Sequence, residues 1–135
     1  MQNQKTFWTD ANGLGMQKRV LDFRPSWDFT YDYDYQVENV TANYYPVDSA
    51  IFIEDDNLRM TVLTDRTQGG SSLRDGTIEL MQNRKIPMDD NKGEGDWLLE
   101  LNEFGRGIRV KASYLLLLNR ISEHSDQRIY QSLID

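Results

Sequence analysis

Residues 58–81, LRMTVLTDRTQGGSSLRDGTIELM, constrain the fold more than any other stretch of the chain. From 58 to 65 the side chains alternate. Leu58, Met60, Val62 and Thr64 share one face, and Arg59, Thr61, Leu63 and Asp65 the other. A period of two is the mark of a half-buried antiparallel strand. Gly69-Gly70-Ser71-Ser72 then interrupts the pattern, and two adjacent glycines predict a sharp turn. Asp75-Gly76 is a hairpin-type turn signal, and Thr77 opens a further strand to residue 81.

The rest of the chain repeats this strand-and-turn grammar. A short strand over 6–9 enters the turn Asp10-Ala11-Asn12-Gly13, whose Asn-Gly pair favours the left-handed backbone that tight hairpins need. A charged strand returns over 16–23. Residues 44–54 read as one extended stretch, with Pro46 at a strand start or edge. Asp55-Asp56-Asn57 turns into the strand at Leu58. Residues 98–101 are short and apolar. A second strong strand is predicted over 107–118: Ile108, Val110, Ala112 and Tyr114 face one way, and Arg109, Lys111 and Ser113 the other. Over 115–118 both faces are apolar, which predicts a strand covered on both sides. A polar tail occupies 119–135, with spacing over 128–134 compatible with one or two helical turns. The chain is therefore expected to be all-β, an antiparallel sandwich, forming a single domain or part of one over 1–135.

Composition narrows the function. The 135 residues carry a net charge of −7, with 15 basic and 22 acidic side chains. A nucleic-acid surface needs clustered Lys and Arg, and an anionic membrane attracts the same charges, so neither partner is expected. Without a cysteine the chain has no disulfide and no thiolate chemistry. The N-terminus has no apolar run behind it, so no signal peptide is expected.

Few residues point to chemistry. The single histidine, His124, stands in a polar stretch, where a surface role is the ordinary reading. Tyr31, Tyr33 and Tyr35 alternate with Asp32 and Asp34. That pattern reads either as a sugar-stacking or calcium-binding edge, or as a solvated edge strand whose charges prevent further pairing. Asp89-Asp90-Asn91-Lys92-Gly93-Glu94-Gly95-Asp96 sets oxygen ligands among glycines, as a calcium loop does. Lys92 lies inside it, and no Glu closes it as an EF-hand requires.

Six strings resemble, in order, the C-terminal β-rich region of class II α-mannosidases, glycoside hydrolase family 38, and its lysosomal branch most of all. They are Phe7-Trp8-Thr9-Asp10-Ala11-Asn12-Gly13, Met16-Gln17-Lys18-Arg19, Asn43-Tyr44-Tyr45-Pro46-Val47, the stretch over 63–81, Asp89-Asp90-Asn91-Lys92-Gly93, and Gly105-Arg106-Gly107. The likeness runs from about Lys5 to about Leu118. It implies a fragment of the C-terminal β-supersandwich, of the galactose mutarotase-like kind, and a non-catalytic portion of an enzyme. The intact enzyme would hydrolyse terminal non-reducing α-D-mannose from N-glycan oligosaccharides, with retention and with zinc, in the lysosome or secretory pathway. The nucleophile, the acid/base and the zinc would belong to the preceding catalytic α/β domain. This chain would bind no cofactor, and its partners would be that domain and a mannose-containing oligosaccharide. The missing signal peptide then suggests that Met1 is not the natural start of a complete mannosidase.

The same resemblance assigns substrate contact to Asp90, Lys92 and Gly93, in a loop that reaches toward the active-site cleft. Gly93 would let the chain turn, and Asp89 and Asp90 would hold the loop. Arg usually stands at the position of Lys92; a lysine keeps the charge and loses the planar fork. Arg66, beside Gly69-Gly70-Ser71-Ser72, is a second candidate read from the residues themselves: it would brace the loop through Asp65 or Asp90. Lysosomal members carry an Asn-x-Thr acceptor where Asp28-Phe29-Thr30 stands here; Asn39-Val40-Thr41, slightly downstream, makes Asn39 a glycosylation candidate. Without the resemblance, the 89–93 loop is an exposed hairpin loop and Arg66 a surface charge. A stand-alone carbohydrate-binding module or a structural β-sandwich then remains the alternative. Strands cut from a larger sandwich leave unpaired edges, so the chain is expected to be marginal or to associate.

Overall fold

The structure, a computed structural model, describes residues 1–24, 41–83, 88, 93 and 100–121. Several expectations fall outside them: the Tyr-Asp alternation over 31–35, Asn39, Asp90, Lys92, the first half of the apolar run over 98–101, His124 and the helical turns over 128–134. The described part is all-β, as the sequence pattern predicts. It has two antiparallel sheets.

The larger sheet holds five strands in the order β2-β1-β4-β5-β8. They are β1 (Thr6–Asp10), β2 (Met16–Val20), β4 (Ala50–Glu54), β5 (Leu58–Thr64) and β8 (Tyr114–Arg120). The smaller sheet orders β3 (Tyr45–Val47), β6 (Gln68–Ser71) and β7 (Glu79–Met81) as β3-β6-β7. A 3-10 turn, Thr41–Asn43, precedes β3.

The turns form for local reasons. Between β1 and β2, the Asn12 side chain accepts the Leu14 N–H at 3.0 Å, and Gly13 takes φ +70°. Between β4 and β5, Asp55 Oδ1 accepts the N–H groups of Asn57 and Leu58, each at 2.9 Å. Those two bonds favour the ionised carboxylate and lower the Asp55 pKa. Gly76 takes φ +75° between β6 and β7, as the Asp-Gly signal predicts.

The sheets pack face to face. Phe7, Ile51 and Ile53 of the larger sheet meet Tyr45 and Val47 of the smaller, and Met60, Val62, Ile78 and Leu80 pack around them. The Phe7 and Tyr45 rings meet edge to face at 5.7 Å, and the guanidinium groups of Arg19 and Arg24 lie 4.5 and 4.6 Å from the Tyr45 centroid. On the opposite face Trp8 stacks on Phe52 at 4.8 Å, and Arg59, paired with Glu54 at 2.6 Å, also covers Phe52.

Five expectations change. Gly69 and Gly70 lie within β6, not in a turn, and neither has a positive φ. Their smallness serves packing: a Cβ on Gly70 would stand 2.6 Å from Val47 Cγ2 and 3.1 Å from Ile51 Cδ1. Residues 44–54 are two strands in different sheets, because the chain turns at Asp48 and Ser49. The strand over 107–118 begins only at Tyr114; upstream of it a single bridge joins Leu101 to Gly107. Alternation sets faces, but a strand also needs a neighbouring backbone, and Lys111 O and Ser113 N are taken instead by the side chains of Arg66 and Asp65. Finally, the double covering expected over 115–118 is not there. Leu116 and Leu118 are each 63 % exposed. β8 itself runs to Arg120, one residue past the expected start of the polar tail at 119.

Candidate functional site

Asp65 and Arg66 leave the end of β5 as a linked pair. Arg66 Nε donates to Asp65 Oδ1 at 3.0 Å, and Asp65 Oδ2 accepts the Ser113 N–H at 2.8 Å. Arg66 also donates to the Lys111 carbonyl. The Arg66 hydrogen bond, then the Ser113 N–H, hold the Asp65 carboxyl below the usual aspartate value; Asp65 in turn raises the Arg66 pKa. Of the two partners expected for Arg66, Asp65 is therefore the one found. The pair clasps the segment that leads into β8. Asp90, the second expected partner, lies outside the described residues, as does Lys92.

Gly93 is described and exposed. Its backbone has no positive φ, and a Cβ built there would meet nothing within 4 Å. At Gly93 itself, then, neither the backbone angle nor a neighbour among the described residues calls for a glycine. Met88, at the start of the same loop, is 68 % exposed.

Three buried polar residues have no counterpart in the sequence reading. Asp10 is 2 % exposed, and its carboxylate accepts the N–H groups of Asp48, Ser49 and Ala50 at 2.9–3.1 Å, as well as the Ser49 hydroxyl. Those donors engage both oxygens, so Asp10 is a structural anchor and offers no free base. Asn3 donates to Thr6 O at 2.7 Å and to Ser72 Oγ at 3.1 Å, and accepts the Gly76 N–H at 2.8 Å. Gln68 accepts the Tyr114 hydroxyl at 3.1 Å while its buried Nε2 has no partner among the described residues. Tyr44 donates to Glu79 at 3.1 Å; burial first, and then Glu79, raises its pKa. Asp10 was legible only as a turn residue, since its donors lie 38–40 residues downstream.

Among the described residues no three His, Cys, Asp or Glu side chains come together as a metal site. With one histidine in the chain, the donor set does not fit the zinc centre that the family resemblance implies, and no step through zinc is assigned to these residues. The described geometry binds strands to one another.

Residues 1–92 match the family described as "Glycosyl hydrolases family 38 C-terminal domain". The chain belongs to that family: it is part of the C-terminal, non-catalytic region of class II α-mannosidases. It is 46 % identical over 121 residues to the lysosomal alpha-mannosidase of Felis catus, a match covering 90 % of this chain and 11 % of the relative. It is 44 % identical over 119 residues to that of Homo sapiens, covering 88 % and 11 %. A probable alpha-mannosidase of Arabidopsis thaliana is 34 % identical over 143 aligned positions, covering 99 % and 13 %. The chain thus spans about a tenth of the length of these curated relatives, and the matched part does not include their catalytic domain.

Proposed function

We propose that this chain serves as the non-catalytic C-terminal portion of a lysosomal-type α-mannosidase. The intact enzyme would remove terminal non-reducing α-D-mannose from N-glycan oligosaccharides by a zinc-dependent retaining reaction. Its metal and both reacting carboxylates would be held by the catalytic α/β domain of the same polypeptide, in the lysosome or secretory pathway. A retaining glycosidase needs two carboxyl groups about 5 Å apart across the scissile bond. Among the described residues the buried carboxylate, Asp10, is fully engaged by the turn at 48–50. That engagement supports a reading in which the chemistry lies elsewhere in the enzyme. This domain would contribute the loop over 89–93 to the sugar, with Asp90 holding the loop and Lys92 offering its ammonium or its carbonyl. Arg66 would support the framework at a distance.

The observation that carries this reading is the match itself: 46 % identity to a lysosomal alpha-mannosidase across 90 % of the chain. A graft tests it. The matching region of the Felis catus enzyme is replaced by this chain, and release of 4-nitrophenol from an α-mannoside is measured. Activity in the graft, together with none in the isolated chain with or without zinc, is the expected result. A folded graft with no activity, or turnover by the isolated chain that vanishes on mutating its own residues, would overturn it.

A further inference from the structure

We propose that the outer edge of β8 is a self-association surface, on which a second copy of this chain lays its own β8 antiparallel about a two-fold axis at Leu117. The proposal does not depend on the mannosidase reading.

Hydrogen bonds at both ends of β8 fix which of its backbone groups face outward. Ile121 N–H donates to Asn57 O at 3.0 Å, and Ser113 N–H turns to Asp65. Residues alternate in an antiparallel ladder, so Leu115, Leu117 and Asn119 bond to β5. Tyr114, Leu116, Leu118 and Arg120 then direct their N–H and C=O groups away from β5. No described strand lies there to receive them.

The same residues carry the exposed apolar side chains. Leu116 stands opposite Val62, which stands opposite Ile51; Leu118 stands opposite Met60, which stands opposite Ile53. Ile51 and Ile53 are fully buried, whereas both leucines are 63 % exposed and Tyr114 is 41 % exposed. The core-facing side of the sheet thus continues outward past the reach of the smaller sheet.

Among the described strands, the other three sheet edges are guarded. β2 carries Lys18 and Arg19, β3 carries Pro46, which lacks an N–H, and β7 carries Glu79. Charge and proline are the devices that keep edges from pairing. From Tyr114 to Asn119, β8 has neither.

Self-pairing has one best register. Outward groups must meet outward groups, and only pairing of Leu116 with Leu118 of the second copy engages all four outward residues. That register also sets Tyr114 against Arg120, a ring beside a cation, and no like charges oppose each other. Leu117 then faces its own copy in a non-hydrogen-bonded pair, with Cα atoms about 4.5 Å apart.

Sedimentation of the full 135-residue chain over a wide concentration range tests this. A reversible monomer–dimer equilibrium is expected. Leu116→Lys with Leu118→Lys, both at exposed positions, should raise the dimer dissociation constant tenfold or more while leaving the circular dichroism unchanged. Because the chain has no cysteine, Leu117→Cys gives a clean second measurement. Mild oxidation should link it into a dimer, since a disulfide spans this Cα separation, whereas Lys18→Cys on the guarded edge should stay monomeric. A monomer at every concentration, open-ended oligomers, a dimer indifferent to the two lysines, or equal cross-linking at positions 18 and 117 would each overturn the proposal.

Discussion

The Asp10 carboxylate ties the end of β1 to Ser49, accepting its backbone N–H at 3.0 Å on each oxygen and its hydroxyl besides. With Asp48 and Ala50 adding their N–H groups to the same carboxylate, one side chain fixes the turn where the chain crosses from the smaller sheet to the larger. Asp10→Ala leaves those buried donors unsatisfied, and urea unfolding should show a loss of about 3 kcal/mol. Asp10→Asn keeps one acceptor oxygen and should cost about 1–2 kcal/mol.

The two glycines of β6 should differ in tolerance. Gly70→Ala drives a methyl against Val47, Ile51 and Leu80 at 2.6–3.2 Å, so it should cost about 1–3 kcal/mol by overpacking. At Gly69 the nearest atom to a new Cβ is Tyr44 Cδ1 at 3.3 Å, and the ring can give way. Thermal melts of the two alanine variants should place Gly70→Ala well below Gly69→Ala.

Acid should loosen the clasp at β8. The Asp65 pKa is lowered in the folded chain, so its stabilising effect is present above the ordinary carboxylate range and is lost as pH falls through the lowered value. An NMR titration should find the Asp65 carboxyl titrating below an ordinary aspartate, with the Ser113 amide losing exchange protection in step. Arg66→Gln, which removes the larger cause, should move that midpoint upward.

In the grafted enzyme, Lys92→Ala should lower kcat/KM about tenfold, the effect of one lost hydrogen bond to the sugar. Gly93→Ala should leave the fold intact, because its backbone is not left-handed and no atom of the described residues stands in the way. Steady-state kinetics on an α-mannoside separates the two. Wild-type kcat/KM in Lys92→Ala would show that the lysine ammonium makes no contact that matters.

Local physics made much of this fold legible. The Asn12-Gly13, Asp55-Asp56-Asn57 and Asp75-Gly76 turns were readable because each is closed by its own side chains or by a positive φ. Strand β5 was readable from its alternation. Gly69 and Gly70 were misread because a glycine that admits a neighbouring side chain looks, in one dimension, like a glycine that bends the backbone. The strand at 107–113 was misread for a related reason: its alternation is real, but the partner backbone is missing and side chains of the β5 terminus take its polar groups. At the candidate site, the Arg66–Asp65 pairing could be anticipated because the two are adjacent. The roles of Gln68 and Asn3 could not, since the partner of Gln68 lies 46 residues away and two of the partners of Asn3 lie 69 and 73 residues away.

That distance governs how the chain acquires its structure during synthesis. Asn3 reaches Ser72 and Gly76, 69 and 73 residues later in the sequence, and Asp10 waits for residues 48–50. The amino-terminal hairpin therefore leaves the ribosome long before its anchors exist. Closing such loops costs chain entropy before any long-range contact forms, and topologies of this kind fold slowly. In the interval Phe7 and the apolar side of β1 have no cover, a window in which a chaperone would find this domain and in which misassembly competes with folding.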